Sequence, residues 1–183
     1  VTTDQRRRQQ RRLQSSSFQL RMEWQASYCW QEERIARRYC WECDGSCSNN
    51  AKVHIENCNN GNSRQRWVYR NRSGGYVSIS PNSNTDLCIQ ENGGGPVRLA
   101  SCSSTNDAQM FRGFQDNGSR FELTPKRRTN DLLSQHHDPK PGEDVEPESA
   151  QDARRDHTNF WEVCERNMLK NLLDLSCALS PVQ

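Results

Sequence analysis

Large apolar residues are scarce in this chain of 183 residues: hydrophobic residues make up 32% and aromatic residues 8%. That share supports one modest core and leaves too little for two. No apolar run approaches the ~20 residues needed to cross a bilayer, so no transmembrane segment is expected. No signal-like apolar stretch is present and the sequence starts at Val1. A processed form with its targeting segment removed is therefore the expectation. The net charge is only +2. A domain-wide basic field is thus absent, and nucleic acid is not an expected partner. Catalytic signatures are missing too: there is no glycine elbow and no phosphate loop. The triplet His136-His137-Asp138 sits beside a Pro-rich stretch with no carboxylate at a recognisable spacing. Adjacent histidines of this kind are solvated more often than catalytic, so no enzyme, no catalytic residue and no cofactor are expected.

What the chain does have is cysteine, nine of them. Disulfides substitute for missing core in small domains of oxidising compartments, which points to a secreted or lumenal setting. Charge is concentrated locally. Arg6, Arg7, Arg8, Arg11 and Arg12 crowd one end, and Glu143, Asp144, Glu146 and Glu148 crowd a later stretch. Residues 1–27 read as a polar, Arg-rich arm without apolar periodicity. Residues 28–163 read as β-rich, with Val77-Ser78-Ile79 and Phe121-Glu122-Leu123 alternating at the strand period after glycine turns. Residues 164–183 read as a helix and tail. Met168, Leu169, Leu172, Leu173 and Leu175 fall on one stripe, and Pro181 ends the pattern.

The strongest signal is internal repetition. Val53, Ile55, Cys58, Gln65 and Trp67 reappear 44 residues on as Val97, Leu99, Cys102, Gln109 and Phe111. Val77, Ile79 and Pro81 map by the same step onto Phe121, Leu123 and Pro125. That third unit then breaks into the Pro- and acid-rich stretch from Pro139 to Glu148, expected to be a surface loop. It closes on Asn159-Phe160-Trp161, where the first two have Gln65-Arg66-Trp67 and Gln109-Met110-Phe111. Three β units of this size, none able to bury its apolar face alone, imply a pseudo-threefold β-trefoil. The expected fold is all-β, three repeats of about 44 residues with an N-terminal arm and a C-terminal helix.

These residues resemble the ricin B-type lectin repeat. Cys88-Ile89-Gln90, Val97-Arg98-Leu99, Cys102 and Gln109-Met110-Phe111 form one such unit, and Cys40-Trp41-Glu42, Val53-His54-Ile55, Cys58 and Gln65-Arg66-Trp67 another. The resemblance implies disulfides within repeats, Cys40–Cys58 and Cys88–Cys102, with Cys43 competing with Cys40. In the third unit Leu132-Leu133 stands where a cysteine is expected. It also implies where a sugar would bind: against an acid two residues after the first cysteine and an aromatic two residues before the second. Glu42 fits the acid position, but Glu56 occupies the aromatic one. The second unit has Gln90 and Ala100 there, and the third has Ser134 or Gln135 in place of the acid. The polar neighbour expected before each Gln is Arg64 in the first unit and Ala108 in the second.

The candidate ligand-binding residues are therefore Glu42, His54, Glu56 and Arg64, set against ordinary surface exposure for the same side chains. Gln65 and Gln109 read as core-facing structural residues. A zinc site on Cys40, Cys43 and Cys47, with His54 or Cys58, is the chemical alternative to disulfides; the repeated Cys58/Cys102 pair favours disulfides, and no metal is assigned. The preferred functional expectation is a degenerate trefoil acting as a protein–protein scaffold or accessory subunit of a larger assembly. Its partners would be engaged through the N-terminal arm, the third-repeat loop and the C-terminal helix. A carbohydrate-binding lectin module, with glycan as ligand, is the alternative.

Overall fold

The structure, a computed structural model, describes residues 17–23, 38–114, 121–135, 140–155 and 161–165. Twelve strands and one short helix lie within these residues. They are β1 (Phe18–Glu23), β2 (Arg38–Cys43), β3 (Val53–Asn57), β4 (Trp67–Arg72), β5 (Tyr76–Pro81), β6 (Leu87–Asn92), β7 (Gly95–Ser101), β8 (Phe111–Arg112), β9 (Thr124–Pro125), β10 (Asp131–Ser134), β11 (Glu146–Ser149) and β12 (Trp161–Glu165), with α1 (Ala150–Arg155) between the last two strands.

The repeat seen in the sequence is the repeat of the fold. Each unit contributes one hairpin to a cap: β2–β3, β6–β7 and β10–β11, all antiparallel. The remaining strands form the barrel. β12 pairs with β1, β1 with β4, β4 with β5, β5 with β8 and β8 with β9. A single bridge between Phe121 and Trp161 links the two ends. The result is a β-trefoil with its apolar side chains facing one shared core.

Residues 18–23 correct the sequence expectation. They fall inside the stretch read as an arm, yet they form a barrel strand. Phe18 and Leu20 alternate inward at the strand period and are 2% and 0% exposed. The rest of residues 1–27, apart from Ser17, lies outside the described residues. So do His136, His137, Asp138 and Asn159, along with residues 166–183, which hold nearly all of the expected C-terminal helix. Glu162–Glu165 continue β12.

A second correction concerns the Pro- and acid-rich loop. Val145 is fully buried there. Its N–H donates to the Val53 carbonyl, and its carbonyl accepts from the Val97 N–H. Val53, Val97 and Val145 thus meet around the pseudo-threefold axis, one from each repeat. An insertion shifts the third valine from the 44-residue step, so periodicity alone misses it. Glu143, Asp144 and Glu146 stay partly exposed, whereas Glu148 is 8% exposed and lies in β11, so the last part of the expected surface loop is a strand of the third cap hairpin.

Two aromatic groups fill the core. Trp41 meets Trp67 edge-on at 6.3 Å and Trp161 at 4.9 Å. Phe18, Tyr69, Phe114 and Phe121 form the second group, with centroids 4.6–6.0 Å apart. The tryptophans also supply a polar tie. Trp67 Nε1 donates to the Trp41 carbonyl and Trp161 Nε1 to the Leu133 carbonyl. Each joins a barrel strand to its own cap hairpin. Phe111 keeps the apolar bulk in the second repeat but has no such donor.

Cys40 bonds to Cys58 and Cys88 to Cys102, each closing its hairpin with a Cα–Cα distance of 4.9 Å. Cys43 is not a competitor for Cys58; it bonds to Cys47 across a tight turn. In this state none of Cys40, Cys43, Cys47 and Cys58 is a thiolate, so they do not form the donor set considered for zinc. In the third repeat Leu132 and Leu133 are buried where the other two have a disulfide cysteine and its neighbour.

Candidate functional site

The first cap hairpin carries an open cleft of about 530 Å³. Glu42, His54, Glu56 and Arg64, the four candidates from the sequence, all line it. β2 delivers Glu42 and β3 delivers His54 and Glu56, in a register that sets Glu42 opposite His54 and Cys40 opposite Glu56. Arg64 comes from the 3₁₀ turn Ser63–Gln65 just before β4.

Glu42 anchors the site. Its side chain is only 4% exposed and forms an ion pair with Arg64 Nη2. The Asn62 amide and the Gln65 amide both donate to its Oε2 at 2.8 Å. Burying a carboxylate is costly unless it is paired and hydrogen-bonded. Here one guanidinium and two amides meet that cost and fix the carboxylate at the cleft floor. Gln65 is fixed in turn. Its Nε2 also donates to the Asn57 carbonyl at 2.9 Å, and its Oε1 accepts from the Asn59 N–H at 2.8 Å and the Gln19 amide at 3.0 Å. Gln19 belongs to β1, so the barrel strand outside the repeat motif helps to hold the cleft.

The His54 side chain is only 12% exposed. Its Nδ1 lies 2.9 Å from Asp44 Oδ1, which leaves the imidazole edge as a donor or acceptor at the cleft wall. Arg64 is 44% exposed on its side chain, so it can yield to a ligand hydroxyl while Asn62 and Gln65 keep Glu42 in place. Among the described residues no Phe, Tyr or Trp ring lines the cleft. The site can therefore read hydroxyls and amines by hydrogen bonding, with carboxylates as acceptors and amides and a guanidinium as donors.

Sequence reasoning missed Asn62, although a signal was present. Asn62 caps the 3₁₀ turn by accepting from the Arg64 N–H, and Asn106 caps the equivalent turn by accepting from the Ala108 N–H. These asparagines are 44 residues apart, three before each Gln of the repeat. Asn106 donates to Gln90 Oε1 at 2.9 Å, and Gln109 donates to the same atom at 3.2 Å. The second repeat keeps the frame of the first but has an amide where the first has a carboxylate. In the third, Ser134 at the same position is fully buried and donates to Glu148.

Fold and site together define a lectin-type β-trefoil with a charged cleft in the first repeat. The model of the ricin-type beta-trefoil lectin domain matches residues 8–111 and 32–145. The chain belongs to that family, whose members are carbohydrate-binding, non-catalytic domains. Solved structures agree on the fold at low identity. The designed threefold-symmetric protein ThreeFoil matches with a TM-score of 0.62 at 15% identity, over 81% of this chain and 98% of that one. The β-trefoil lectin of the Vibrio vulnificus hemolysin/cytolysin, solved with N-acetyl-D-lactosamine bound, matches with a TM-score of 0.55 at 14% identity, over 84% and 96%. An exo-β-1,3-galactanase from Clostridium thermocellum matches with a TM-score of 0.62 at 14% identity, over 82% of this chain. This chain spans only 30% of that enzyme. No curated protein matches the chain.

Proposed function

We propose that the chain is a carbohydrate-binding module whose working site is the first-repeat cleft, and that it binds a neutral or amino-bearing saccharide by hydrogen bonds without ring stacking. The observation that carries this is the Glu42 carboxylate, buried yet held at the cleft floor by Asn62, Gln65 and Arg64. Vicinal hydroxyls can donate to that carboxylate while accepting from Asn62 or Arg64. Asp44 and Glu56 add negative charge around it, which favours an amine over an acid on the ligand. Without a stacking face the affinity is expected to be weak, with Kd on the order of 1 mM, about −4 kcal/mol. Three disulfides fit work in an oxidising setting, secreted or lumenal.

Calorimetric titration with neutral and amino-bearing oligosaccharides chosen from a glycan array tests this. Glu42→Gln should weaken binding about tenfold or more, the equivalent of one hydrogen bond to a charged group. Unchanged affinity in a folded Glu42→Gln protein would refute the assignment.

A second reading is favoured by a different observation: the second and third repeats have Gln90 and Ser134 at the acid position. A trefoil that has lost two of three sites fits a scaffold or accessory subunit, with partners engaged by the arm, the third-repeat loop or the C-terminal segment. Stable co-purifying proteins by native mass determination, together with no glycan binding, would favour it.

A further inference from the structure

On the outer face of the barrel, away from the cleft, β4, β5, β8 and β9 are consecutive neighbours. Arg70 and Arg72 stand two apart on β4, opposite Ser78 and Tyr76 of β5. Val77 faces Phe111, which sets Arg112 beside Tyr76, and Lys126 follows β9. Four cations thus share an area about 14 Å across four strands and about 7 Å along them.

Three of the four have no carboxylate within ion-pair distance among the described residues; only Lys126 has one, Asp107 at 2.6 Å. Each arginine is nevertheless tethered by one neutral acceptor. Arg70 Nη2 donates to the Thr85 carbonyl at 2.9 Å, Arg72 Nε to Ser78 Oγ at 2.9 Å and Arg112 Nη2 to the Tyr76 hydroxyl at 2.5 Å. One bond fixes the fork and leaves most of its five donors for a ligand. Tyr76 also gathers charge: the Arg112 guanidinium carbon lies 4.7 Å and Lys126 Nζ 5.2 Å from its ring centroid. Two like charges held near one ring repel each other, offset in part by the ring quadrupole and by Asp107 beside Lys126. An anion between them would relieve that repulsion and meet donors already in position.

We propose that Arg70, Arg72, Arg112 and Lys126, organised by Tyr76, form a second binding surface for a sulfated saccharide. The choice of a saccharide to carry the anions rests on the carbohydrate-binding reading of the family fold. A flat face of spaced guanidinium forks matches anions distributed along a chain better than a single buried one.

The test uses the full chain and a heparin-derived oligosaccharide, followed by calorimetry. Wild type is expected to bind at about 50 mM salt and to lose affinity steeply by about 200 mM. The desulfated oligosaccharide should not bind. Arg72→Gln/Arg112→Gln should lower affinity about tenfold or more, Tyr76→Phe should lower it less, and Glu42→Gln should leave it unchanged. Thermal melts establish that each variant folds. Wild-type affinity in the double variant would overturn the proposal, as would loss only on neutralising Arg6, Arg7, Arg8, Arg11 and Arg12. Equal binding of the desulfated form, or no binding at all, would also overturn it. Tighter binding to phosphatidylserine vesicles or single-stranded DNA would overturn the choice of occupant. Failure of the first-repeat cleft appears separately, as neutral saccharides that never bind while the arginine variant still loses the sulfated ligand.

Discussion

Replacing Gln65 by leucine should destabilise the domain about 2 kcal/mol more than replacing Gln109 by leucine, although the two are repeat equivalents with the same burial. Gln65 takes part in four hydrogen bonds, one to the Glu42 carboxylate and one from Gln19 of β1. Gln109 takes part in three, all with neutral groups: Gln90, the Ser101 carbonyl and the Ser103 N–H. A neutral bond contributes roughly 1 kcal/mol net and one to a charged group roughly 1.5–3 kcal/mol. After allowing for apolar area gained by leucine, the expected losses are roughly 4 kcal/mol at Gln65 and 2 kcal/mol at Gln109. The larger loss approaches the whole stability of a marginal domain. Urea unfolding under non-reducing conditions reads the difference directly. At a slope of about 2 kcal/mol/M, the midpoints should separate by about 1 M. Combining Gln65→Leu with Glu42→Gln should cost less than the sum of the two, because the variants share one bond. Equal costs at the two glutamines, or strict additivity with Glu42→Gln, would refute the reasoning.

Removing Cys88–Cys102 or Cys40–Cys58 by paired alanine substitution should cost about 3 kcal/mol each, and removing the shorter Cys43–Cys47 loop about 2 kcal/mol; calorimetric melting of the three variants gives the order. Gly113→Ala should destabilise by more than about 2 kcal/mol, because φ is +92° and a Cβ there would overlap the Glu122 carbonyl oxygen. Gly93→Ala, at φ +66° with open space around it, should cost only about 1–2 kcal/mol; comparison of unfolding midpoints checks both. Phe111→Trp, which enlarges a fully buried side chain, should destabilise the domain by about 1–3 kcal/mol; a wild-type or higher unfolding midpoint would contradict this.

The sequence made the trefoil legible because its repeat preserves the residues on which the geometry depends. Val53 and Val97 meet at the axis, Gln65 and Gln109 hold the cap turns, and Trp67 and Phe111 fill the barrel. These roles demand specific shapes and hydrogen bonds, so they recur at a fixed step. Residues that meet the same demand off-step were hidden. Val145 sits among acids and prolines, and its role shows only when three backbones converge. The strand Phe18–Glu23 has the right alternation, Phe18 and Leu20 around Gln19, but lies next to an arginine-rich run that dominates its composition. Cys43–Cys47 has no counterpart in the other repeats. The cleft was legible in its charged members, since Glu42 and Arg64 occupy positions that the family resemblance points to. Its supporting amides were not, because asparagine in a turn is ordinary until a buried carboxylate gives it a partner. The outer arginine face left no trace in periodicity. Arg70 and Arg72 come from β4 and Arg112 from β8, and only strand pairing brings them together.

Backbone amide chemical shifts, followed while a neutral or amino-bearing oligosaccharide is added to tens of millimolar, on the scale of the weak Kd expected, test the carbohydrate-binding cleft most directly. The account predicts saturable shifts concentrated at Glu42, His54, Asn62 and Arg64, with the fitted Kd raised about tenfold or more by Glu42→Gln and with Gln90 and Ala100 of the second repeat unmoved. Shifts centred on the second or third repeat, or none across the first cap hairpin, would contradict it.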